Sequence, residues 1–372
     1  MGVAALELTM TLPVFVAGLA AEPSLLRVIL GERMVLEPAR AEGLILVEAA
    51  EGPWPLPQRQ NGSAVDGILL HLDGEPAARL DFVLQSLGLQ PEALANPVAQ
   101  AYLGLGQPGL VTIAARDLAV VEELVRDILA LQGHASPQAI LRRLYLMLVR
   151  AASALRAALG GRPTTQRHHA VPEDMVVVAR RQPYAFFFAM EEYDVSWRRF
   201  DGTFGEPVTR AAFITGDAVT VLPYDPVRDR VLVVEQYRAG PMSRGDRQCW
   251  QIEGIAGRVD PFETPEHAAR REAVEEAGLT LADLMFVAGY YPSTGAVSEY
   301  LYSYVAVTDL PDGSAGVFGV ESEAEDIRGH LISFDRLMEM LASGEIQNAP
   351  LVISTLWLQR ERAQLRQGLQ PA

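Results

Sequence analysis

The stretch from Gly257 to Leu279, GRVDPFETPEHAARREAVEEAGL, carries the strongest structural signals in the chain. Thr264 has the side chain of a helix N-cap, and Pro265 follows it at the position where proline suits the first helical turn. Gly278 stands where a helix can end in a left-handed conformation. The stretch therefore predicts a helix from Pro265 to Ala277.

Three carboxylates within this helix point to chemistry. Glu272, Glu275 and Glu276 have the spacing i, i+3 and i+4, which brings them to one helical face. Like charges this close repel, and a hard cation such as Mg²⁺ turns the repulsion into ligation. The alternative is a solvated face whose charges are neutralised by Arg270 and Arg271.

The full pattern of the stretch decides between these two interpretations. Its fixed positions resemble the signature box of the Nudix hydrolases, which implies a metal-dependent hydrolase built as an α/β/α sandwich. The resemblance also implies structural roles in the box for Gly257, Glu263, Arg271 and Gly278, with Arg271 tied to Glu263.

Composition and charge restrict the partners. The 372-residue chain has a formal net charge of −16, which argues against nucleic acid or an anionic membrane as its main partner. Its one cysteine, Cys249, excludes an internal disulfide and fits a reducing cytoplasm. The uncharged stretch from Leu8 to Ala21 is too short to span a bilayer, and we expect a core strand at Pro13–Ala17 instead.

Residues 1–172 form a first predicted domain. Its order of strands and helices resembles the gamma-glutamylcyclotransferase-like, or AIG2-like, fold, a small mixed barrel. Where that family has a catalytic carboxylate after a Leu-Asp motif, this chain has Leu84, following Leu80-Asp81. Leucine cannot transfer a proton, so we expect no catalysis here. Strands are expected at 41–47 and 65–72 around a Pro-rich loop, helices at 75–86, 117–131 and 136–159, and a linker at 160–171.

Residues 173–372 form the second predicted domain, which contains the box. The strands and helices expected around it are strands at 175–178, 184–189, 218–223, 230–236, 250–256, 287–291 and 300–307, and helices at 334–343 and 350–367.

Motifs outside the box resemble the ADP-ribose diphosphatase branch of the Nudix hydrolases. One departure is Ser293-Thr294-Gly295, where that branch has Ser-Pro-Gly. Combined with a cyclotransferase-like first half, the chain resembles the tellurite-resistance-associated members of this branch. The segments that carry the resemblance are RFDG (199–202), LPYDP (222–226), EQYR (235–238), EGIAG (253–257) and EAEDI (323–327).

The resemblance implies a set of site residues. Glu272, Glu276 and the backbone carbonyl of Ala256 are expected to hold the metal, with Glu275 as a shared ligand or catalytic group. Arg238 at a strand end is a candidate to bind a phosphate, and Arg199 and Glu299 to contact the substrate, Glu299 through a ribose hydroxyl. Either Glu323 or Glu325, on an acidic loop, is expected to be the general base, with Glu323 preferred.

Three functions remain open from the sequence. The first is hydrolysis of ADP-ribose to AMP and ribose 5-phosphate with Mg²⁺, or with Mn²⁺ in its place. The second is a diphosphatase for another nucleotide sugar or dinucleotide, and the third is a non-catalytic ADP-ribose sensor. The resemblance further implies a cytoplasmic homodimer in which the strands from Trp197 to Arg210 pack across partners.

Overall fold

The computed structural model of the chain describes residues 12–31, 35–49, 52–108, 113–161, 163–320 and 325–367. The chain divides into two compact units, Met1–Arg162 and Pro163–Ala372. The division falls inside the segment predicted as a linker. The domain limits 1–172 and 173–372 stay a prediction, and each unit is described by itself.

The first unit is built on a six-stranded mixed sheet with helices. Its strand order is β4-β5-β1-β3-β2-β6, and β1 runs parallel to β5 whereas the other neighbours are antiparallel. The bounds are β1 (Val14–Val16), α1 (Pro23–Leu30), β2 (Glu37–Ala49), β3 (Pro55–Leu70), α2 (Gly74–Ser86), β4 (Gln90–Ala95), β5 (Val98–Leu103), β6 (Gly106–Pro108), α3 (Ala115–Ala130), α4 (Pro137–Leu141) and α5 (Leu144–Leu159).

Two element predictions for this unit were wrong. The Pro-rich loop belongs in part to β3, because β2 pairs with it as far as Glu48↔Pro55 and Leu56 is buried; tertiary pairing overrides the turn-forming composition. The single helix expected at 136–159 is broken between α4 and α5, where Arg143 has a non-helical backbone (φ −125°, ψ 15°).

Leu84, at the position where the predicted AIG2-like fold would have its acid, lies in the core of the first unit. Leu84, on α2, is fully buried. Asp81, one turn earlier, accepts hydrogen bonds from Tyr102 Oη (2.6 Å) and Gln85 Nε2 (2.7 Å). A buried leucine at this position offers no proton-transfer group.

The second unit combines a three-stranded sheet, β7-β8-β9, with an eight-stranded mixed sheet. The larger sheet has the order β14-β15-β10-β11-β17-β16, with β12 paired to β11 and β13 paired to β10. The bounds are β7 (Met175–Ala185), β8 (Ala189–Trp197), β9 (Val208–Ile214), β10 (Asp217–Asp225), β11 (Arg230–Tyr237), α6 (Ala239–Arg244), β12 (Trp250–Glu253), β13 (Ile255–Arg258), α7 (Pro265–Ala277), β14 (Asp283–Tyr290), β15 (Tyr300–Val307), β16 (Val317–Phe318), β17 (Ile327–Ser333), α8 (Phe334–Ser343) and α9 (Ala349–Gln367).

The larger sheet is covered by helices on both faces. Alternate residues of β10 and β11 face opposite ways. Val219 and Val234 pack with the alanines of α7, whereas Leu222 and Val233 pack with α8 and α9. The α/β/α sandwich expected for this half of the chain is confirmed.

The strand predicted at 184–189 is a hairpin instead. β7 continues to Ala185, and β8 begins at Ala189, with a tight turn in which the Phe186 N–H donates to the Phe188 carbonyl (2.8 Å). Phe188 packs against Phe213 of β9, with ring centroids 4.7 Å apart. The pairing of Ala185 with Ala189 places the three phenylalanines at the turn.

A charged clamp joins α9 to the β10–β11 hairpin. Asp229 lies in the turn with a positive φ of 57°. Its carboxylate accepts hydrogen bonds from Tyr224 Oη (2.8 Å) and Arg362 Nε (2.8 Å), and it pairs with Arg366 as well. Burial opposes ionisation, but these donors prevail and lower the pKa of Asp229 to about 2.

Candidate active site

The box helix α7 has the ends that its sequence predicts. Thr264 Oγ1 accepts a hydrogen bond from the His267 N–H (3.3 Å), Pro265 is the first helical residue, and Gly278 ends the helix with φ +62°. The face of α7 toward the sheet consists of small residues, which allow the helix to approach β10 and β13 closely. These are Ala268, Ala269, Ala273 and Ala277, all buried.

Glu272 occupies space that a side chain on β13 would otherwise fill. A Cβ on Gly257 would lie 1.8 Å from Glu272 Oε1, far inside contact distance. The carboxylate is only 8% exposed. Burial raises the pKa of Glu272 to about 7, although Arg271 acts in the opposite direction.

Glu276 is buried one turn further along α7. Its Oε2 accepts a hydrogen bond from the Ala256 N–H (2.9 Å), and its Oε1 lies 3.4 Å from Gln236 Nε2. Burial raises the pKa of Glu276 to about 8, and the charges of Glu272 and Glu325 raise it further. Two carboxylates with raised pKa values therefore lie side by side against the backbone of β13.

Arg271 connects the other acids of the box. Its Nη2 donates to Glu263 Oε1 (2.8 Å) and to the Arg258 carbonyl (3.0 Å), which confirms the predicted pair with Glu263. Its Nη1 donates to Glu272 Oε1 (2.7 Å) and Glu275 Oε2 (2.9 Å). Burial lowers the pKa of Arg271, but these carboxylates outweigh it and raise the pKa overall. Glu275 differs from Glu272 and Glu276 in exposure, since about a third of its side chain is exposed whereas the other two are buried.

The donor set fits a hard divalent cation. Among the described residues, no group of three or more His, Cys, Asp or Glu side chains is arranged to hold a metal ion. Glu272 and Glu276 nevertheless provide buried oxygens whose charge has too little compensation, which is the condition that a cation relieves. The ligand roles of Ala256, Glu272, Glu275 and Glu276 stay predictions.

Arg238 is already engaged with a carboxylate. Its Nε and Nη2 donate to Glu253 Oε2 (3.1 and 2.7 Å), and Glu253 Oε1 accepts from Asn348 Nδ2 (3.1 Å). Burial opposes ionisation of Arg238, whereas Glu253, Glu276 and Glu325 raise its pKa. Arg238 therefore lies beside the box carboxylates, and one edge of its guanidinium is occupied.

The other predicted substrate contacts are in different places. Glu299 is half-buried; burial raises its pKa, and Arg258 and Arg238 act against this rise. Arg199 is exposed in the turn between β8 and β9, where its N–H donates to the Thr203 carbonyl (2.7 Å). The structure thus brings Glu299 toward the arginines of the site, and the role of Arg199 stays a prediction.

Glu323 and Glu325 are the two candidates for the general base. Glu323 lies outside the described residues. Glu325 accepts a hydrogen bond from the Val320 N–H (3.0 Å), and its charge raises the pKa values of Glu272 and Glu276. Glu325 is therefore close enough to the box carboxylates to influence them electrostatically.

Several site residues were not recognised individually from the sequence. Gln236 and Glu253 occur in the EQYR and EGIAG motifs, but their partners depend on the antiparallel register of β11 and β12. Asn348 combines a contact with Glu253 and a cap on α9, where its Oδ1 accepts from the Leu351 N–H (3.0 Å). The cap is a local signal, but the contact of Asn348 with Glu253 joins residues 95 positions apart and leaves no local pattern in the sequence.

Comparison with known proteins agrees with this geometry. Residues 215–353 match the model of the NUDIX domain. The chain is 36% identical to the ADP-ribose pyrophosphatase of Escherichia coli (strain K12) over 193 residues, 52% of this chain and 91% of that protein. It is 31% identical to the GDP-mannose pyrophosphatase of Salmonella paratyphi A (strain ATCC 9150 / SARB42) over 150 residues, 40% of this chain and 77% of that protein. A crystal structure of an ADP compounds hydrolase matches with a TM-score of 0.41 and 20% identity, covering 52% of this chain and 97% of that one.

The sandwich and its box helix define a Nudix domain, and a hydrolase is the class of protein that these features indicate. The chain belongs to the Nudix family, and it is a Nudix hydrolase. The first unit lies outside the matched residues. Within the described part of the chain, no helix has the length and apolar character needed to cross a bilayer.

Proposed function

We propose that the protein hydrolyses the pyrophosphate bond of ADP-ribose to AMP and ribose 5-phosphate, with Mg²⁺ as cofactor and Mn²⁺ as a substitute. The observation that carries this proposal is the pair of buried carboxylates, Glu272 and Glu276, held against the backbone of β13 at Ala256 and Gly257. The similarity to ADP-ribose pyrophosphatases supports the choice of substrate.

Glu272, Glu276 and the Ala256 carbonyl would hold the cation. When bound, such an ion neutralises charge on phosphate oxygens and favours attack by water on phosphorus. Glu275 stays beside Arg271 and provides a shared oxygen. The Ala256 N–H, by donating to Glu276 Oε2, keeps this carboxylate oriented.

Glu325 is the proposed general base. The reaction breaks one bond between phosphorus and the bridging oxygen, and water supplies the new oxygen and loses a proton. Glu325 interacts electrostatically with the two proposed ligand carboxylates, which supports a role for its own carboxylate in accepting that proton close to the reacting phosphate. Glu323 stays the alternative base.

Arginines and Glu299 would bind the rest of the substrate. Arg238 is held by Glu253 beside the cluster, and its Nη1 is available to donate to a phosphate oxygen. Glu299 can accept hydrogen bonds from ribose hydroxyls, and Arg199 completes the proposed set of contacts.

The proposal extends to assembly and to the first unit. We propose that the protein is a homodimer, because β7 exposes apolar side chains at successive positions, Met175 to Val178, on both of its faces. The proposed location is the cytoplasm, whose reducing conditions suit a chain with the single cysteine Cys249. We also propose that the first unit is an AIG2-like domain without its catalytic acid, and that its combination with the Nudix domain makes the chain one of the tellurite-resistance-associated type.

A substrate panel tests the function. The purified full chain is assayed with ADP-ribose, GDP-mannose and NADH, each with Mg²⁺, with Mn²⁺ and with EDTA, and nucleoside monophosphate is quantified. We expect AMP from ADP-ribose in the presence of metal and none with EDTA. Absence of AMP from folded protein with Mg²⁺ would contradict the proposal.

A second diphosphatase function is favoured by one comparison. The similarity to GDP-mannose pyrophosphatases, together with Thr294 in place of the branch proline, supports a nucleotide-sugar substrate other than ADP-ribose. Faster turnover of GDP-mannose than of ADP-ribose in the same panel would select this alternative.

A further inference from the structure

Arg258, the last residue of β13, is held by the β7–β8 hairpin. Its guanidinium carbon lies 4.5 Å from the ring centroid of Phe187 and 5.7 Å from that of Phe188. A guanidinium stacked on aromatic rings keeps its edge N–H donors available for a ligand. The β7–β8 hairpin thus holds the positively charged guanidinium of Arg258 beside the box, next to Gly257.

A line of alternating charges connects Arg258 with the box carboxylates. Arg238 interacts electrostatically with Glu276, and both Arg238 and Arg258 interact with Glu299. Strand pairing places Glu299 near Arg258, because Ala218 of β10 pairs with Arg258 on one side and with Leu301, two residues after Glu299, on the other. The Ser298 N–H also donates to the Phe213 carbonyl (3.0 Å), and Phe213 packs on Phe188 of the hairpin. The line extends from the ligand Glu276 to the hairpin.

Arg258 and Glu299 lie in segments on the two sides of β10 and influence each other electrostatically without making an ion pair. Within the described residues, neither side chain makes a hydrogen bond, and no ion pair within 4 Å joins them. A half-buried acceptor and a fixed donor separated in this way suit a ligand group that both donates and accepts. A sugar hydroxyl is such a group, because its O–H can donate to Glu299 while its oxygen accepts from Arg258.

We propose that Arg258 and Glu299 form one subsite that binds hydroxyl groups of the substrate's sugar, with Phe187 and Phe188 holding Arg258 in place. The inference rests on the proposed function and adds Arg258 to the substrate contacts. It makes Arg258 a specificity-determining residue that contacts substrate away from the scissile bond. Its loss therefore raises KM and leaves kcat nearly unchanged.

Kinetics of three variants test the subsite in the full chain. Arg258→Met and Glu299→Gln are each expected to raise KM about tenfold, the effect of losing one charge-assisted hydrogen bond, with kcat changed less than about threefold. The double variant is expected to resemble either single variant, because one bridging group needs both residues. Arg247→Met removes an exposed arginine and serves as the control, with unchanged KM.

The pH dependence of KM separates direct binding from a structural role. Removing Arg258 leaves Arg238 as the cation and Tyr290 as the phenol that face Glu299. The pKa of Glu299 then rises further, so the KM defect of Arg258→Met is expected to be largest at low pH and to shrink as the pH is raised. A purely structural defect would not change in this way.

Several results would overturn the subsite. They are an unchanged KM for Arg258→Met, a loss confined to kcat, or effects of the single variants that multiply in the double variant. The assay uses whichever diphosphate of the panel the wild type hydrolyses fastest. Failure on ADP-ribose alone therefore rejects the proposed substrate and leaves the test of the subsite intact.

Discussion

Gly257 matters because the absence of a side chain there leaves room for the Glu272 carboxylate. Because a Cβ there would overlap Glu272 Oε1, substitution must displace the carboxylate. We expect Gly257→Ala to lower kcat at least about 100-fold, since a misplaced ligand disturbs the geometry of the reaction. Gly240→Ala, where a Cβ meets nothing within 4 Å, should keep full activity in the same assay. Equal activity of the two variants would show that Glu272 tolerates displacement.

Burial of the Glu276 carboxylate lowers the stability of the folded protein when this carboxylate is ionised. Glu276→Gln removes the charge of a proposed metal ligand and should therefore abolish turnover. Because a buried amide is easier to accommodate than a buried carboxylate, the melting temperature of this variant in EDTA should be unchanged or higher. The exposed Glu339→Gln serves as the control for both measurements. Extensive unfolding of Glu276→Gln would assign the helix a structural role.

The effect of Glu276→Gln on folding stability should depend on pH. The pKa of Glu276 is raised in the folded state to about 8, so the stability provided by the protonated form is complete below about 4.5 and is lost as the pH rises through 8. Glutamine does not titrate. Scanning calorimetry in EDTA should therefore show that the melting temperature of Glu276→Gln, relative to that of the wild type, increases from pH 6 to pH 9. A difference that does not vary with pH would contradict the burial of an ionising carboxylate.

At the scale of elements, the clamp on Asp229 holds α9 against the β10–β11 hairpin. Asparagine accepts the positive φ at this position, so Asp229→Asn isolates the loss of charge. We expect it to lower the free energy of unfolding by about 1–3 kcal/mol at pH 7. Asp309→Asn, which removes an exposed partner of Arg228, should have little effect.

Urea unfolding at several pH values checks the sign of this effect. The pKa of Asp229 is lowered to about 2, so its contribution is present above the unfolded value near 4 and disappears as the pH falls through 2. The difference between wild type and Asp229→Asn should therefore shrink between pH 4 and pH 2. A difference that persists at pH 2 would have another origin.

Elements with local signals were predicted well. α7 and α8 begin at side-chain caps and end at glycines with positive φ, and both were predicted residue by residue. The turn at Phe186–Phe188 and the start of β3 were not, because they depend on strand pairing. The site follows the same division: Glu272 and Glu276 are apparent from spacing on one helix, whereas the contact of Arg258 with Phe187 joins segments about 70 residues apart, and no local pattern encodes it.

At the scale of the whole molecule, the apolar strand β7 predicts self-association. Light scattering should give a mass twice the 40.5 kDa of one chain. Val176→Asp places a charge on the half-exposed face of β7 and should shift the protein to monomers. Val227→Asp, in the exposed turn between β10 and β11, is the matched control and should stay dimeric. A monomeric wild type would reject the dimer.

The alanine face of α7 has a consequence for the protein's tolerance of variation. A deep mutational scan scored by activity should show the strongest depletion at Ala268, Ala269 and Ala273, where even valine would push the helix outward and carry the two proposed ligands, Glu272 and Glu276, away from β13. Exposed positions of the same helix, such as His267, should accept most replacements. The smallest side chains of the box would then be its least replaceable ones, and a library designed to alter specificity should leave them untouched.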